Sequence, residues 1–289
     1  MDIRRVNYLA TFENNKFDPI REITLEEYNT IIEHGDIIKT AHSQLEIFKY
    51  LQLNIKEYSM FVNKISYLPI TQIDIRKITS QSMLLEANRK VLNVLTSFVF
   101  FLDNAKTYLK RRYRDNEKSI LEFEKLKSYH YDNSFAYRFL TKLRNYSIHM
   151  GFPLIGLGFN VDQIKDNPEE MVGDVLLYTN IEALKKEKKL FGGMHNEILT
   201  LNEDVDLRPL IKDLSKSIIE IQKYIHLVQM KVVETSIEYI NNITRDFKTD
   251  TNEIKLYYVS NRINDDAEII VYDVPWEMIN DFKSYKNSW

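Results

Sequence analysis

The stretch FLTKLRNYSIHMGFP sets an arginine and an asparagine side by side, Arg144 and Asn145, and places a histidine, His149, five residues after the arginine. These residue types can do acid–base work next to a held anion. An imidazole titrates near neutrality and can take or return a proton. A guanidinium is a permanent planar cation with five donors, suited to phosphoryl oxygens, and an amide can orient a ring or an oxyanion. The same three residues can also do no more than end a helix, with the arginine paired to an acid on a neighbour. Few other routes to chemistry are open, because the chain has no Gly-rich phosphate loop, no paired zinc ligands and no GxSxG.

The helix that carries them is well signalled. Asn133 or Ser134 can cap its start, Phe135, Phe139, Leu143 and Tyr146 form an inward stripe, and Gly151 and Pro153 stop it just past His149. Asn145 and His149 are four apart and share a face, whereas Arg144 lies about 140° of helical rotation from His149. One straight helix therefore assembles the trio poorly. Either its last turn distorts at the Gly-Pro stop, or two copies of the helix meet and pool their residues across a dimer cleft.

The clearest helix comes before it, in SQSMLLEANRKVLNVLTSFVFFLDNAKTYLKRRYR, where Val91, Leu95, Phe98, Leu102, Ala105 and Leu109 recur at alternating spacings of four and three. That is a bundle seam, on a helix about 45 Å long. Its end is basic, with Lys106, Lys110, Arg111, Arg112 and Arg114. These cations can complement the helix dipole or bind phosphate. Asp103 is expected to be a solvated or capping carboxylate, with pairing to Arg144 or His149 as the sharper alternative. NEKSILEFEKLKSYHYD reads as a polar segment between the two helices.

Elsewhere, TLEE at Thr24 to Glu27 fits a capping box after an irregular start. A helix follows, with a break expected near Gly35, and runs toward Tyr67 before Pro69. Six of the 7 glycines fall between Gly151 and Gly193, a region that reads as irregular, with VGDVLLYTN a short strand and IEALKKEKKLFGG a short charged helix. A late helix starts at Asp206 with Pro209 in its first turn and carries Ile211, Leu214, Ile218, Ile221, Ile225 and Val228 at helical spacing. EIKLYYVS and AEIIVYDV read as a hairpin and PWEMINDFKSY as a last helical turn or two. The expected fold is mainly α: an antiparallel helical bundle over 1–250, with its motif core at about 80–154, and a small C-terminal β/α appendage over 251–289 packed on the same domain.

Composition narrows the function classes. With 39 basic and 42 acidic residues the formal charge is −3, so a nucleic-acid surface would have to be a local patch. Cysteine is absent, which removes disulfides, thiolate catalysis and Cys-based metal sites and fits a reducing cytoplasm. No window is long and apolar enough for a signal peptide or a membrane span, so a cytoplasmic protein without membrane attachment is expected.

Arg144, Asn145 and His149 match the sequence mark of the HEPN superfamily: an arginine, a polar residue after it, then a histidine four to six residues along. FLDNAKTYLKRRYR followed by YDNSFAYRFLTKLRNYSIHMGFPL also resembles bacterial HEPN-like helical proteins with the same helix order, over roughly Ser80 to Leu154. The resemblance implies a HEPN-like bundle, a homodimer and, in active members, a metal-independent endoribonuclease that cuts single-stranded RNA by attack of the 2′-hydroxyl. His149 would take the proton, Arg144 would stabilise the phosphoryl charge, Asn145 would orient, and Lys106, Lys110, Arg111, Arg112 and Arg114 would steer the RNA. No metal and no cofactor is called for. Such a protein would suit a toxin with its antitoxin or an antiphage effector. The resemblance equally allows a non-catalytic module for dimerisation or for binding a protein partner.

Other candidates carry less. His195 has no second histidine at ligand spacing, and His226 lies among apolar residues as a partly buried histidine. The acidic runs DQIKDNPEE and NEDVD lack a calcium-loop pattern and read as solvated turns. The aromatic residues at helical spacing read as core.

Overall fold

The computed structural model describes residues 5–13, 16–66, 80–114, 116–164, 167–245, 254–261 and 267–286. The chain is mainly helical with two small antiparallel sheets. It divides into two units, one continuous over Glu46–Ile225 and one made from both chain ends, Met1–Leu45 with His226–Trp289. No helix among the described residues is long and apolar enough to cross a membrane.

In the unit built from the chain ends, the start expected to be irregular forms two strands, β1 (Arg5–Glu13) and β2 (Lys16–Ile23). The tail forms the expected hairpin, β6 (Lys255–Asn261) and β7 (Ala267–Asp273), and the four make one sheet in the order β2-β1-β6-β7. Strand β1 pairs with β6 from Arg5↔Ser260 to Ala10↔Lys255. As a central strand it buries Val6, Asn7, Leu9, Ala10 and Thr11, so the apolar/polar alternation that signals a half-buried strand is missing. Pro19 is accommodated on the edge strand β2, opposite Ala10 beside a register shift between Leu9 and Ala10. At the other edge, β7 exposes Ile269, Ile270 and Val271.

Helix α1 (Leu25–Ser66) opens on the capping box: the Thr24 amide donates to Glu27 Oε2 at 2.9 Å and the Glu27 amide to Thr24 Oγ1 at 3.1 Å. No break occurs at Gly35. That glycine serves close approach instead, since a Cβ there would lie 2.2 Å from Tyr272 Oη on β7. The same hydroxyl donates to Asp36 Oδ1 at 3.0 Å, and Lys39 Nζ sits 3.7 Å over the ring. The last helix, α9 (Trp276–Lys286), is pinned by the Trp276 indole donating to the Ile254 carbonyl at 3.0 Å.

In the Glu46–Ile225 unit, helix α2 (Ser80–Arg112) buries all six residues of its seam, from Val91 to Leu109. Each large apolar side chain so buried contributes about 1.5–3 kcal/mol. NEKSILEFEKLKSYHYD, expected to be a polar segment, is a further helix, α3 (Glu117–Asn133). Asn116 caps it by accepting from the Ser119 amide at 3.2 Å. It hides in the sequence because its buried stripe is only Ser119, Phe123 and His130. Helix α4 (Phe135–Met150) follows after the single residue Ser134. Phe98 of α2 meets Tyr137 of α4 edge to face at 5.2 Å. The Asn88 amide of α2 bonds both backbone groups of Leu154, at 3.1 and 2.9 Å.

Past α4 the chain is more regular than expected. β3 (Gly156–Ile164) and β4 (Asn167–Thr179) form a hairpin, joined by β5 (Val205–Asp206). Most of DQIKDNPEE, expected to be a solvated turn, thus lies in strands. IEALKKEKKLFGG forms two short helices, α5 (Ile181–Lys185) and α6 (Lys188–Phe191), and α7 (His195–Leu199) leads on to α8 (Leu207–Thr244). Asp206 accepts from the Arg208 amide at 3.1 Å as the expected cap of α8. Ile211, Leu214, Ile218, Ile221 and Ile225 are buried along it.

Gly35→Ala tests the close approach. Propensity alone favours alanine by about 1 kcal/mol in a helix, yet the variant should lose about 1–2 kcal/mol in denaturant unfolding, because the tethered Tyr272 must move. A pH effect also follows. His130 is buried against Tyr137, 6.0 Å between ring centroids, and burial pushes its pKa below the ordinary histidine value, partly offset by Glu220. Burial lowers His34 in the same way. Below about pH 6.5 the unfolded chain protonates first, so the stability present at neutral pH is lost as pH falls. The melting temperature should drop between pH 7.5 and pH 5, and His130→Phe should shrink that drop.

Candidate functional site

Helix α4 begins where Ser134 accepts from the Tyr137 amide at 3.2 Å and ends at Gly151, whose φ of 112° only glycine adopts readily. Of the expected inward stripe, Phe139 and Leu143 are buried and Phe135 and Tyr146 half-buried. The helix stays regular through Met150. Its last turn therefore does not bend to bring Arg144 toward His149, and the two keep the separation of about 140° that a straight helix imposes.

Each residue of the motif has a distinct setting. Arg144 is half-buried on the face that also carries Tyr137, two turns earlier, which meets Phe98 of α2 and His130 of α3. Its Nη1 donates to Asn145 Oδ1 at 3.3 Å, its Nε is buried without a partner, and no carboxylate pairs with it among the described residues. Arg138, on the same helix, shows what a structural arginine looks like here. It donates to the Tyr131 and Asp132 carbonyls at 2.6 and 2.7 Å and pairs with Glu197 at 2.8 Å. His149 is exposed and makes no hydrogen bond or ion pair among the described residues. Exposed Ile148, Met150, Phe152 and Ile155 surround it in sequence.

Lys142, Tyr146 and His149 share one face of α4, at spacings of four and three. Tyr146 packs on Phe191 of α6 at 6.2 Å between ring centroids. Burial, and secondarily the Glu187 carboxylate, push the Tyr146 phenol up. Lys142 Nζ would lie 3.8 Å from a Cβ on Gly192. The exposed Lys186, Lys188 and Lys189 of this segment belong to the same region. The KKEKK run was visible in the sequence, but nothing local tied it to a histidine about 40 residues away; that needs the α4–α6 contact.

The basic end of α2 is placed elsewhere. Asn88 clips α2 to Leu154, just past α4, and Lys110 lies 22 residues further along α2, about 33 Å of helix. Lys106 pairs with Glu124 of α3 at 2.9 Å, while Lys110, Arg111, Arg112 and Arg114 are exposed. Asp103 is exposed on α2. His195 is buried and its Nε2 donates to the Lys185 carbonyl at 2.7 Å, a tie between α5 and α7. His226 is half-buried, with burial pushing its pKa down.

Stability measurements separate the two arginines. Arg144→Met should leave the melting temperature unchanged or raise it, because a half-buried cation without an acid contributes little to folding. Arg138→Met should lower stability by about 2–4 kcal/mol, since it strands Glu197 and two carbonyls. A large loss from Arg144→Met would show that the guanidinium has a structural partner after all.

Comparison of the chain with family models, curated proteins and solved structures gave no match in any of the three.

Proposed function

We propose that the chain is a metal-independent endoribonuclease of the HEPN kind, acting on single-stranded RNA as a pair of copies whose α4 helices meet. The observation that carries this reading is Arg144: a half-buried guanidinium with no carboxylate beside it among the described residues. A half-buried charge without an acid among the described residues suits an oxyanion. In the reaction, His149 takes the proton from the 2′-hydroxyl as its oxygen attacks the adjacent phosphorus, and Arg144 stabilises the charge that gathers on the equatorial oxygens. Asn145, through its contact with Nη1, holds the guanidinium in line. The 5′-oxygen leaves and a 2′,3′-cyclic phosphate remains.

The second copy answers the geometry. On a straight helix Arg144 and His149 point apart, so the site takes its arginine from one copy and its histidine from the other. The exposed Ile148, Met150, Phe152 and Ile155 supply apolar surface for the two copies to bury around the end of α4. Lys142, Lys186, Lys188 and Lys189 hold RNA phosphates on the His149 side, and the basic end of α2 adds a contact further along the strand. Released in a cell, such an activity is that of a toxin or a defence effector.

Cleavage of a labelled single-stranded RNA in EDTA tests the reading. Arg144→Ala should lose about 10²–10³-fold in rate and His149→Ala about 10²–10⁴-fold. Mixing the two dead variants in equal amounts should restore about a quarter of the wild-type rate, since half the dimers are mixed and each carries one intact site. No rescue, with the variants still dimeric, would sink the shared site. Silence of the wild type, or equal cutting by all variants, would sink the enzyme and favour a helical binding module.

A further inference from the structure

We propose that the groove between α1 and α8 in the Glu46–Ile225 unit binds a small phosphate-bearing molecule through Tyr58, Arg208 and Lys212. The groove is a cavity of about 260 Å³ with an apolar floor of Ile55, Val62 and Ile211. That is large enough for a phosphate and a few further atoms and smaller than a drug-sized pocket.

Tyr58 points to a ligand. The residue is only 4% exposed, and its hydroxyl is buried with no hydrogen-bond partner among the described residues. Buried polar atoms are nearly always paired, so an orphan on the wall of a cavity asks what completes it. Burial, with Asp206 adding to it, pushes the phenol pKa up, which keeps the hydroxyl a donor at neutral pH. The hydrogen it keeps has nothing to bond among the described residues, and an acceptor in the groove would use it.

Arg208 and Lys212 make that acceptor an anion. Arg208 is held from one side: Nε donates to both oxygens of Asp206, at 3.2 and 2.9 Å, and Nη1 pairs with Asp174. Two carboxylates thus fix the guanidinium plane and leave Nη2 without a hydrogen bond among the described residues. Lys212, one helical turn on, is exposed and unpaired among the described residues. A third donor, Tyr58 Oη, belongs to a side chain that lines the same groove, so the three offer an anion one hydroxyl and two cations. Asp174 and Asp206 offset the two cations, so the binding is weak, with a dissociation constant on the order of a millimolar.

The test is titration of inorganic phosphate into the full chain at constant ionic strength, with sodium chloride as the control, followed by amide chemical shifts. Saturable shifts at α1 and α8 are expected. Tyr58→Phe should weaken them about tenfold and Lys212→Gln several-fold. Tyr58→Phe should also hold or raise the melting temperature without phosphate, because it removes an unpaired buried hydroxyl. Three results would overturn the proposal: no saturable binding, binding that both variants leave intact, or a melting temperature lowered by several degrees in Tyr58→Phe. A single-stranded RNA that outcompetes phosphate here, and loses that advantage in Tyr58→Phe, would place a strand in the groove instead of a small molecule. Because none of these readings uses RNA cleavage, the outcome is independent of the proposed nuclease.

Discussion

The end of α4 depends on one buried side chain. Asn88 of α2 donates to the Leu154 carbonyl and accepts from the Leu154 amide, both within the core. A side-chain amide carries donor and acceptor side by side, so it can satisfy a backbone donor and acceptor at once, as a strand would. Without it two buried backbone groups would stand unpaired, each costing about 1–3 kcal/mol. With it the chain is held in place just after Gly151, and the exposed segment carrying His149 and Phe152 starts and ends at fixed points. A surface meant to meet something outside the chain thus rests on a rigid internal support.

The parts legible in the sequence are those whose information is local. The α2 seam could be read because each apolar residue repeats its neighbour's position a turn away, and the cap at Thr24 because donor and acceptor lie three residues apart. Ser134 and Gly151 marked both ends of α4 for the same reason. The parts not legible there are those that distance or chemistry conceals. Strand β1 finds its central partner β6 about 245 residues later and is buried on both faces, so no alternation marks it. Helix α3 buries a histidine and a serine where a pattern search expects leucine. Gly35 looked like a breaker because its reason, the Tyr272 hydroxyl, arrives from the far end of the chain.

The candidate site shows the same division. The helical period alone sets Arg144 and His149 apart, and the regular α4 keeps them so. Sequence could not reveal whether the arginine had an acid partner. That rests on three-dimensional neighbours, and the contrast with Arg138, tied to Glu197 and two carbonyls, is what gives meaning to Arg144, which has no acid partner among the described residues. The same holds for Tyr58, whose tyrosine letter says core and whose hydroxyl says otherwise.

The β1–β6 pairing has a consequence for the order in which the molecule is made. At about 5–20 residues per second on the ribosome, β1 waits roughly 12–50 s after its own synthesis before β6 exists to receive it. The Glu46–Ile225 unit is continuous and has no such wait. The unit that carries Arg144 and His149 can thus fold while the sheet is still missing its centre. During that interval the nascent hairpin of β1 and β2 exposes a backbone edge that only the last part of the chain can close, so a translation arrest before residue 255 leaves the motif in place and the sheet unfinished.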